Sequence, residues 1–403
     1  MGIDKYLEGE VGFSKLKVPK RLAVTLIIVL VSKAVGNLLL YYLMDIQSSG
    51  TYWMNVNRSP AWEQNRVFTE NVGQTANWLY LFVGWDSAWY LSIMTRGYSF
   101  SNQSYAFAPA LPAFGKVFSF FLGNPIASIV ACSTFFGVLW VPMYQLVAEN
   151  YMDRGAALGS TLLFAFFPYV FLFTTVAYSE GLFLFFTLGA WYFFKKRKVL
   201  YAAAFASAAT VTRPIGLLMV LPMLLWSLKE KGSLRFRHVF LSILPIGSLF
   251  LWLSYCKLTA NDWLAPVHTT EWNAMYPFRV FFLEVLPKSG IQAFYSEIPY
   301  EHWLSPFSIW GAILVVPFLI WMVAKKDKPL ATYSLVYYLG ILAGGALLSV
   351  PRFLSVLYPV WIPPTATLFR TKRSIACVIT ISMLFYAGGL TLWAGFLDGK
   401  LIA

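Results

Sequence analysis

Ala106-Phe107-Ala108-Pro109-Ala110-Leu111-Pro112-Ala113-Phe114-Gly115-Lys116-Val117-Phe118-Ser119-Phe120-Phe121-Leu122 is the stretch that decides the topology of this chain. It is apolar enough to enter a bilayer, yet it falls short of the roughly 20 residues that a spanning helix needs. Pro109, Pro112, Gly115 and Lys116 interrupt it further. The question matters because the surrounding chain is overwhelmingly membrane-like. Of its 403 residues 58% are hydrophobic and 12% charged, against about a quarter charged in an ordinary soluble domain. Mean hydropathy is +0.62, so the composition predicts an all-α polytopic membrane protein.

Apolar runs long enough to cross, or nearly so, recur at about 20–44, 125–148, 155–175, 179–194, 198–212, 214–228, 237–258, 304–324, 330–349, 354–369 and 374–396. The first is too long for the apolar core of a cleavable leader and lacks a small-residue cleavage site, so it reads as a signal anchor. Thr212-Arg213-Pro214 divides what would otherwise be one long run. Proline disfavours helix in the residue before it, and an arginine at membrane depth is costly.

The basic clusters settle the reading of 106–122. Lys15-Leu16-Lys17 with Lys20-Arg21, Lys195 to Lys198, Lys229 to Arg237, Lys325-Lys326 with Lys328, and Arg370 with Lys372-Arg373 should all face the cytoplasm. A twelfth crossing at 106–122 would put the 195–198 and later clusters on the wrong side. Treated as a juxtamembrane or re-entrant segment, it leaves about eleven spans, a cytoplasmic N-terminus and every cluster inside. The net charge of +13 then reflects orientation in the bilayer. No stripe of Arg and Lys with interleaved aromatics points to nucleic acid. The chain reads as one domain over 1–403, with outer segments at 45–124 and 259–303.

Several chemistries are absent as motifs. There is no phosphate-binding P-loop, no HExxH, no metal-ligand spacing of Cys and His, and no Gly-rich dinucleotide fingerprint. No Asp-x-Asp pair suits a metal-bound nucleotide-sugar, and no cytoplasmic segment is large enough to hold a nucleotide. An activated donor should therefore reside in the membrane. The sequence requires no cofactor and excludes no divalent metal. Cys132, Cys256 and Cys377 lie in or at the ends of predicted spans, so no disulfide framework is implied. Asn57-Arg58-Ser59 and Asn102-Gln103-Ser104 match the glycosylation acceptor pattern.

Within the first outer segment, Trp85-Asp86-Ser87-Ala88-Trp89-Tyr90 sets a carboxylate among three rings. On a helix Trp85 and Trp89 share one face, and Asp86 and Tyr90 the neighbouring one. That predicts an amphipathic helix on the membrane with its acid turned to a cavity; a solvated loop acid and an interfacial aromatic belt are the plain alternatives. Tyr105 opens the Pro109/Pro112 stretch, which either lines a cavity or simply turns the chain back to the bilayer. Tyr178-Ser179-Glu180 falls on the same outer side. Glu180 either contacts a substrate there or favours the positive end of a helix dipole. Arg213 and Arg352 sit at outer span ends, where a guanidinium snorkels or grips a phosphate through paired donors. His268 and His302 read as surface residues.

Together these segments resemble the family of GPI mannosyltransferases that add the second mannose, with its prokaryotic relatives, in the GT-C superfamily of glycosyltransferases. The resemblance rests on Gly84 to Tyr90, Tyr105 to Pro112, Ala177-Tyr178-Ser179-Glu180, Thr212-Arg213-Pro214 and Pro351-Arg352-Phe353, which occur in the family's order. It implies a GT-C fold, with Asp86 as the catalytic residue. It also implies a dolichyl- or polyprenyl-phosphate-mannose donor and transfer with inversion. The acceptor it leaves open is a glycolipid or another membrane-proximal glycan. Substrate contacts are then expected from Trp85, Trp89, Tyr90, Tyr105, Tyr178, Glu180, Arg213 and Arg352, with the site on the outer or lumenal face. The membrane would be the cell membrane of a prokaryote, or the endoplasmic reticulum of a eukaryote. The rival class is a transporter or flippase, or a non-catalytic subunit, handling lipid-linked sugars. Transporters more often show internal repeats with broken helices in corresponding halves, and the sequence shows none.

Overall fold

The structure, a computed structural model, describes residues 10–13, 16–43, 77–229, 233–268, 306–324, 328–343, 350–362, 365 and 372–397. Outside these lie most of the predicted second outer segment, with His302, and the first part of the other, with Asn57-Arg58-Ser59. Lys15, Lys325, Lys326 and Arg370 also lie outside them. The described chain is helical apart from one feature that the all-α expectation did not include. Strand β1 (Glu10–Phe13) pairs antiparallel with β2 (Leu16–Pro19), Val11 opposite Val18 and Phe13 opposite Leu16. Here the apolar residues alternate with a period of two, which suits a strand rather than a helix.

The helical chain forms two compact units. The first draws on 1–97, 110–195 and 364–401. It contains α1 (Lys20–Leu43), a 3₁₀ turn at Asn77–Phe82, α2 (Asp86–Arg96), α3 (Ala110–Leu122), α4 (Pro125–Ala148), α5 (Arg154–Phe166), α6 (Pro168–Phe173), α7 (Glu180–Lys195) and a last helix, Lys372–Leu397.

Helix α4 is the centre of this unit, packing against α1, α3, α5 and α7. Asn124 starts it, its side-chain oxygen accepting from the Ala127 amide at 2.9 Å with Pro125 in the first turn. It is apolar all round and buries Trp140, Tyr144 and Val141 completely. Asp153 caps α5 in the same way, through the Ala156 amide at 2.8 Å. At Pro168 the chain leaves the helix, with Phe167 at φ −54°, ψ 128°, as the residue before a proline tends to do. The predicted span 155–175 is therefore two helices. Arg21 binds Glu149 through both carboxylate oxygens at 2.6 and 2.9 Å, and Thr25 donates to Gln145 at 2.7 Å, so the start of α1 is tied to the end of α4. The last helix is fixed by Trp393, whose indole donates to the Leu81 carbonyl at 2.8 Å, and by Tyr386, which donates to Ser32.

The second unit draws on 98–109 and 196–363. Its helices are α8 (Val199–Thr212), α9 (Val220–Ser227), α10 (Ser233–Ser242), α11 (Leu244–Ala260), α12 (Ala265–His268), α13 (Pro306–Ala324), α14 (Lys328–Ala343) and α15 (Val350–Ser355). Short 3₁₀ segments run at Asn102–Ala106, Pro214–Met219 and Tyr358–Trp361. Helix α8 packs on α11, α9 on α10 and α14, and α13 on α15. The break expected at Thr212-Arg213-Pro214 is present, and it turns tightly. A side chain on Gly216 would stand 2.5 Å from the Ala209 backbone.

Among the described residues, four helices are long and apolar enough to cross a membrane: Lys20–Leu43, Pro125–Ala148, Arg235–Ala260 and Ala376–Leu397. The helices on the other predicted spans are shorter or broken. Helix α3, which carries most of 106–122, has 13 residues and rises about 20 Å at 1.5 Å per residue, against roughly 30 Å of hydrocarbon.

Candidate active site

In the first unit the site is built around the start of α2. Trp85 immediately precedes this helix with φ 47° and ψ −114°. A bulky residue at positive φ is strained, and such strain gathers at functional sites. The conformation turns the chain so that Asp86 opens the helix, its half-buried carboxylate near the positive end of the dipole. No side chain of Trp85 caps the helix. Instead the amide of Asp86 donates to the Tyr178 hydroxyl at 3.1 Å, across more than ninety residues of chain. The Trp85 indole N–H is buried and has no hydrogen-bond partner among the described residues.

The next turn of α2 repeats the attachment. Tyr90, itself buried, donates to the Ser179 hydroxyl at 3.0 Å. The Ala177 amide donates to the Phe82 carbonyl at 2.6 Å, so the segment before α2 is pinned to the same partner. That partner is the turn Thr174–Ser179, all of it buried, which leads into Glu180 at the first position of α7, also buried. The turn is seated on α4. Ser133 reaches the Tyr178 carbonyl at 3.4 Å. Gly137 and Gly181 allow the chains to close up, because a side chain on Gly137 would stand 2.0 Å from the Thr174 carbonyl oxygen.

This arrangement gathers Asp86, Tyr90, Tyr178 and Glu180 from the sequence reading into one place. It alters one expectation. Residues 87–94 of α2 are buried throughout, Trp89 included, because the helix packs against both α3 and α4. It is an interior helix rather than one with a solvent face.

In the second unit, Arg213 takes the extended conformation that Pro214 imposes, φ −150° and ψ 126°, at the end of α8. Its guanidinium carbon lies 5.1 Å from the centre of the Phe353 ring. That of Arg352, a buried residue of α15, lies 5.4 Å from the same ring. The Phe353 ring thus receives a guanidinium from each of two segments of this unit.

Tyr105 is elsewhere in that unit. Its ring, 2% exposed, is stacked on Tyr98 at 5.2 Å and Trp252 at 6.4 Å. His268 is exposed as expected. It pairs at 2.8 Å with Asp262, which also accepts from the Leu264 amide, and these two bonds hold the Asp262 carboxyl below its ordinary range.

Ser179 and Phe353 were quoted in motifs but given no role from the sequence, and Thr174, Thr175 and Lys33 were not singled out; of these three only Lys33 carried a signal, as an ionisable residue inside a span. Among the described residues no three His, Cys, Asp or Glu side chains come together as metal ligands.

The sequence model of the family described as mannosyltransferase (PIG-V) matches residues 24–230, which include Asp86, Tyr178, Glu180 and Arg213. Among solved structures, the oligosaccharyltransferase of Archaeoglobus fulgidus crystallised with Zn and sulfate has a TM-score of 0.48 at 10% identity, over 94% of this chain and 53% of that one. The archaeal oligosaccharyltransferase AglB from the same organism, in complex with an inhibitory peptide and a dolichol-phosphate, gives 0.46 at 11% identity, over 94% and 56%. The chain thus spans about half the length of these proteins. No curated protein matches it.

Proposed function

Because the chain belongs to the mannosyltransferase (PIG-V) family, we propose that it transfers mannose from a polyprenyl- or dolichyl-phosphate donor to a hydroxyl of a glycolipid or other membrane-proximal acceptor. Asp86 acts as general base. It takes the proton of the acceptor hydroxyl while that oxygen attacks the anomeric carbon, and the bond from that carbon to the lipid phosphate breaks. The sugar inverts, and the polyprenyl phosphate leaves with the bonding electrons, its charge balanced by Arg213 and Arg352. General-base catalysis of this kind contributes roughly 10²–10⁴-fold. Preorganised cations at the departing oxygen act only as charge develops, which favours the transition state over the bound donor.

The observation that carries this reading is the mounting of Asp86. A strained tryptophan and the Tyr178 hydroxyl act on the first turn of α2 and the Tyr90–Ser179 bond on the next, and a solvated surface acid would need none of them. The Trp85 indole N–H beside it, buried without a partner among the described residues, is a donor for a sugar hydroxyl. In orientation the N-terminus is cytoplasmic and the catalytic face outer or lumenal. The setting is the cell membrane in a prokaryote.

The test is transfer of radiolabelled mannose from polyprenyl-phosphate-mannose by the purified protein. Asp86→Asn keeps the size of the side chain and removes the proton acceptor, so it should bind donor and lose turnover. Near-normal transfer by Asp86→Asn would remove the residue from this role and turn attention to Glu180.

A further inference from the structure

Lys33 lies within α1 and is 6% exposed. Its amino group donates to the hydroxyls of Thr175 at 2.7 Å and Thr174 at 2.9 Å, reaches the Phe171 carbonyl at 3.5 Å, and sits 5.4 Å from the centre of the Phe171 ring. None of these partners is a carboxylate. An ionisable side chain at such a position in a spanning helix is expensive, and those that persist usually do work there.

The two hydroxyls that receive Lys33 are themselves committed as donors. Thr174 donates to Val170 at 2.7 Å and Thr175 to Phe171 at 2.5 Å. Each therefore accepts from the lysine and passes the interaction to a carbonyl of α6. The last carbonyls of a helix lack partners within it; here the amides of Thr174 and Val176 also donate to Val170 and Leu172, each at 3.0 Å, and Lys33 ties this end of α6 to α1. The chain that follows is the turn at 174–179, which holds the Asp86 amide through Tyr178, Tyr90 through Ser179 and Phe82 through Ala177.

We propose that Lys33 is a positioning residue for the transfer reaction: it locks the end of α6 and so the turn on which the first turn of α2, with Asp86, is mounted. This rests on the role given to Asp86 above. Lys33 touches no reacting atom, and its contribution is to the alignment of the base.

Lys33→Met separates this role from a merely structural one. The methionine fills the same space, and both threonine hydroxyls keep their carbonyl acceptors, so no buried donor is orphaned. The expected result for the full chain in lipid is a melting temperature near wild type and a KM for polyprenyl-phosphate-mannose within about twofold. Turnover should fall about ten- to hundredfold, as a misplacement near 1 Å produces. Amide exchange across 174–179 should become faster. Combined with Tyr178→Phe, the loss in turnover should be smaller than the product of the two single losses, since both act through one linkage.

Wild-type turnover in folded Lys33→Met, or unchanged exchange at 174–179, overturns the proposal. Exchange is read without activity. Should Asp86→Asn prove active, the failure of that role is thereby distinguished from a failure of Lys33 to hold the turn. If Lys33→Met does not fold, Lys33→Gln is judged by the same measurements.

Discussion

Alanine at position 137 would put a methyl carbon 2.0 Å from the carbonyl oxygen of Thr174. Contacts of a side-chain β carbon below 3.0 Å essentially never occur, so α4 and the turn must part by about 1 Å. The opposing atom is backbone and cannot rotate aside. Overpacking of this kind costs about 1–3 kcal/mol, offset by up to about 1 kcal/mol that alanine gains over glycine inside a helix. Stability should therefore fall modestly. Turnover should fall much further, because the displaced turn mounts Asp86, and a 1 Å error in catalytic geometry is worth about a hundredfold. The assay pairs mannose transfer with a thermal scan on protein in lipid nanodiscs. Gly247→Ala is the control: it makes the same change inside α11, where no packed neighbour among the described residues lies within 4 Å of the added carbon, and it should leave both readings at or above wild type. Turnover and melting temperature both unchanged in Gly137→Ala would refute the claim that this close approach sets the turn.

Arg213→Ala and Arg352→Ala should each weaken donor binding about ten- to hundredfold, the equivalent of a charge-assisted contact of roughly 1.5–3 kcal/mol. Lysine at either position should rescue only in part, since it keeps the charge and loses the planar paired donors; wild-type donor use by both alanine variants would make these residues interfacial anchors. If 106–122 does not cross the bilayer, single cysteines at positions 102 and 124, in a background lacking Cys132, Cys256 and Cys377, will be labelled by an impermeant reagent from the same face. Labelling from opposite faces would force a different count of spans.

The long apolar helices were legible because hydropathy alone defines them. The run predicted at 125–148 is α4 to the residue, and the break at Arg213 follows from Pro214 without tertiary information. Pro168 carried the same kind of signal for the break between α5 and α6, but the continuous apolarity of 155–175 masks it. Asp86 stood out through its neighbours in sequence. Tyr178-Ser179 stood out as a motif, but the bonds of Tyr178 to the Asp86 amide and of Ser179 to Tyr90 did not, because they form only through the packing of α2 and α7 on α4, and pattern reading carries no such distance. Tyr105 illustrates the converse. An aromatic residue in an outer segment reads equally as a substrate contact or as packing, and its place between Tyr98 and Trp252 became visible only in three dimensions. The hairpin at Glu10–Pro19 was hidden by its basic residues, which drew attention to charge rather than to alternation.

Lys33 also constrains how the protein is made. It enters the membrane with the first helix, whereas Thr174 and Thr175, its hydrogen-bond acceptors, are 141 and 142 residues further along. At roughly 5–20 residues per second of synthesis, they follow on the order of ten seconds later. A lysine at the centre of an inserting helix opposes partition into lipid by about 2.5–3.5 kcal/mol. Until α6 arrives, that helix must remain beside the insertion machinery or keep its amino group in contact with water or headgroups. Its final seat forms late, after more than a third of the chain has been translated, so errors in this protein's biogenesis should concentrate in the first span rather than in the later ones.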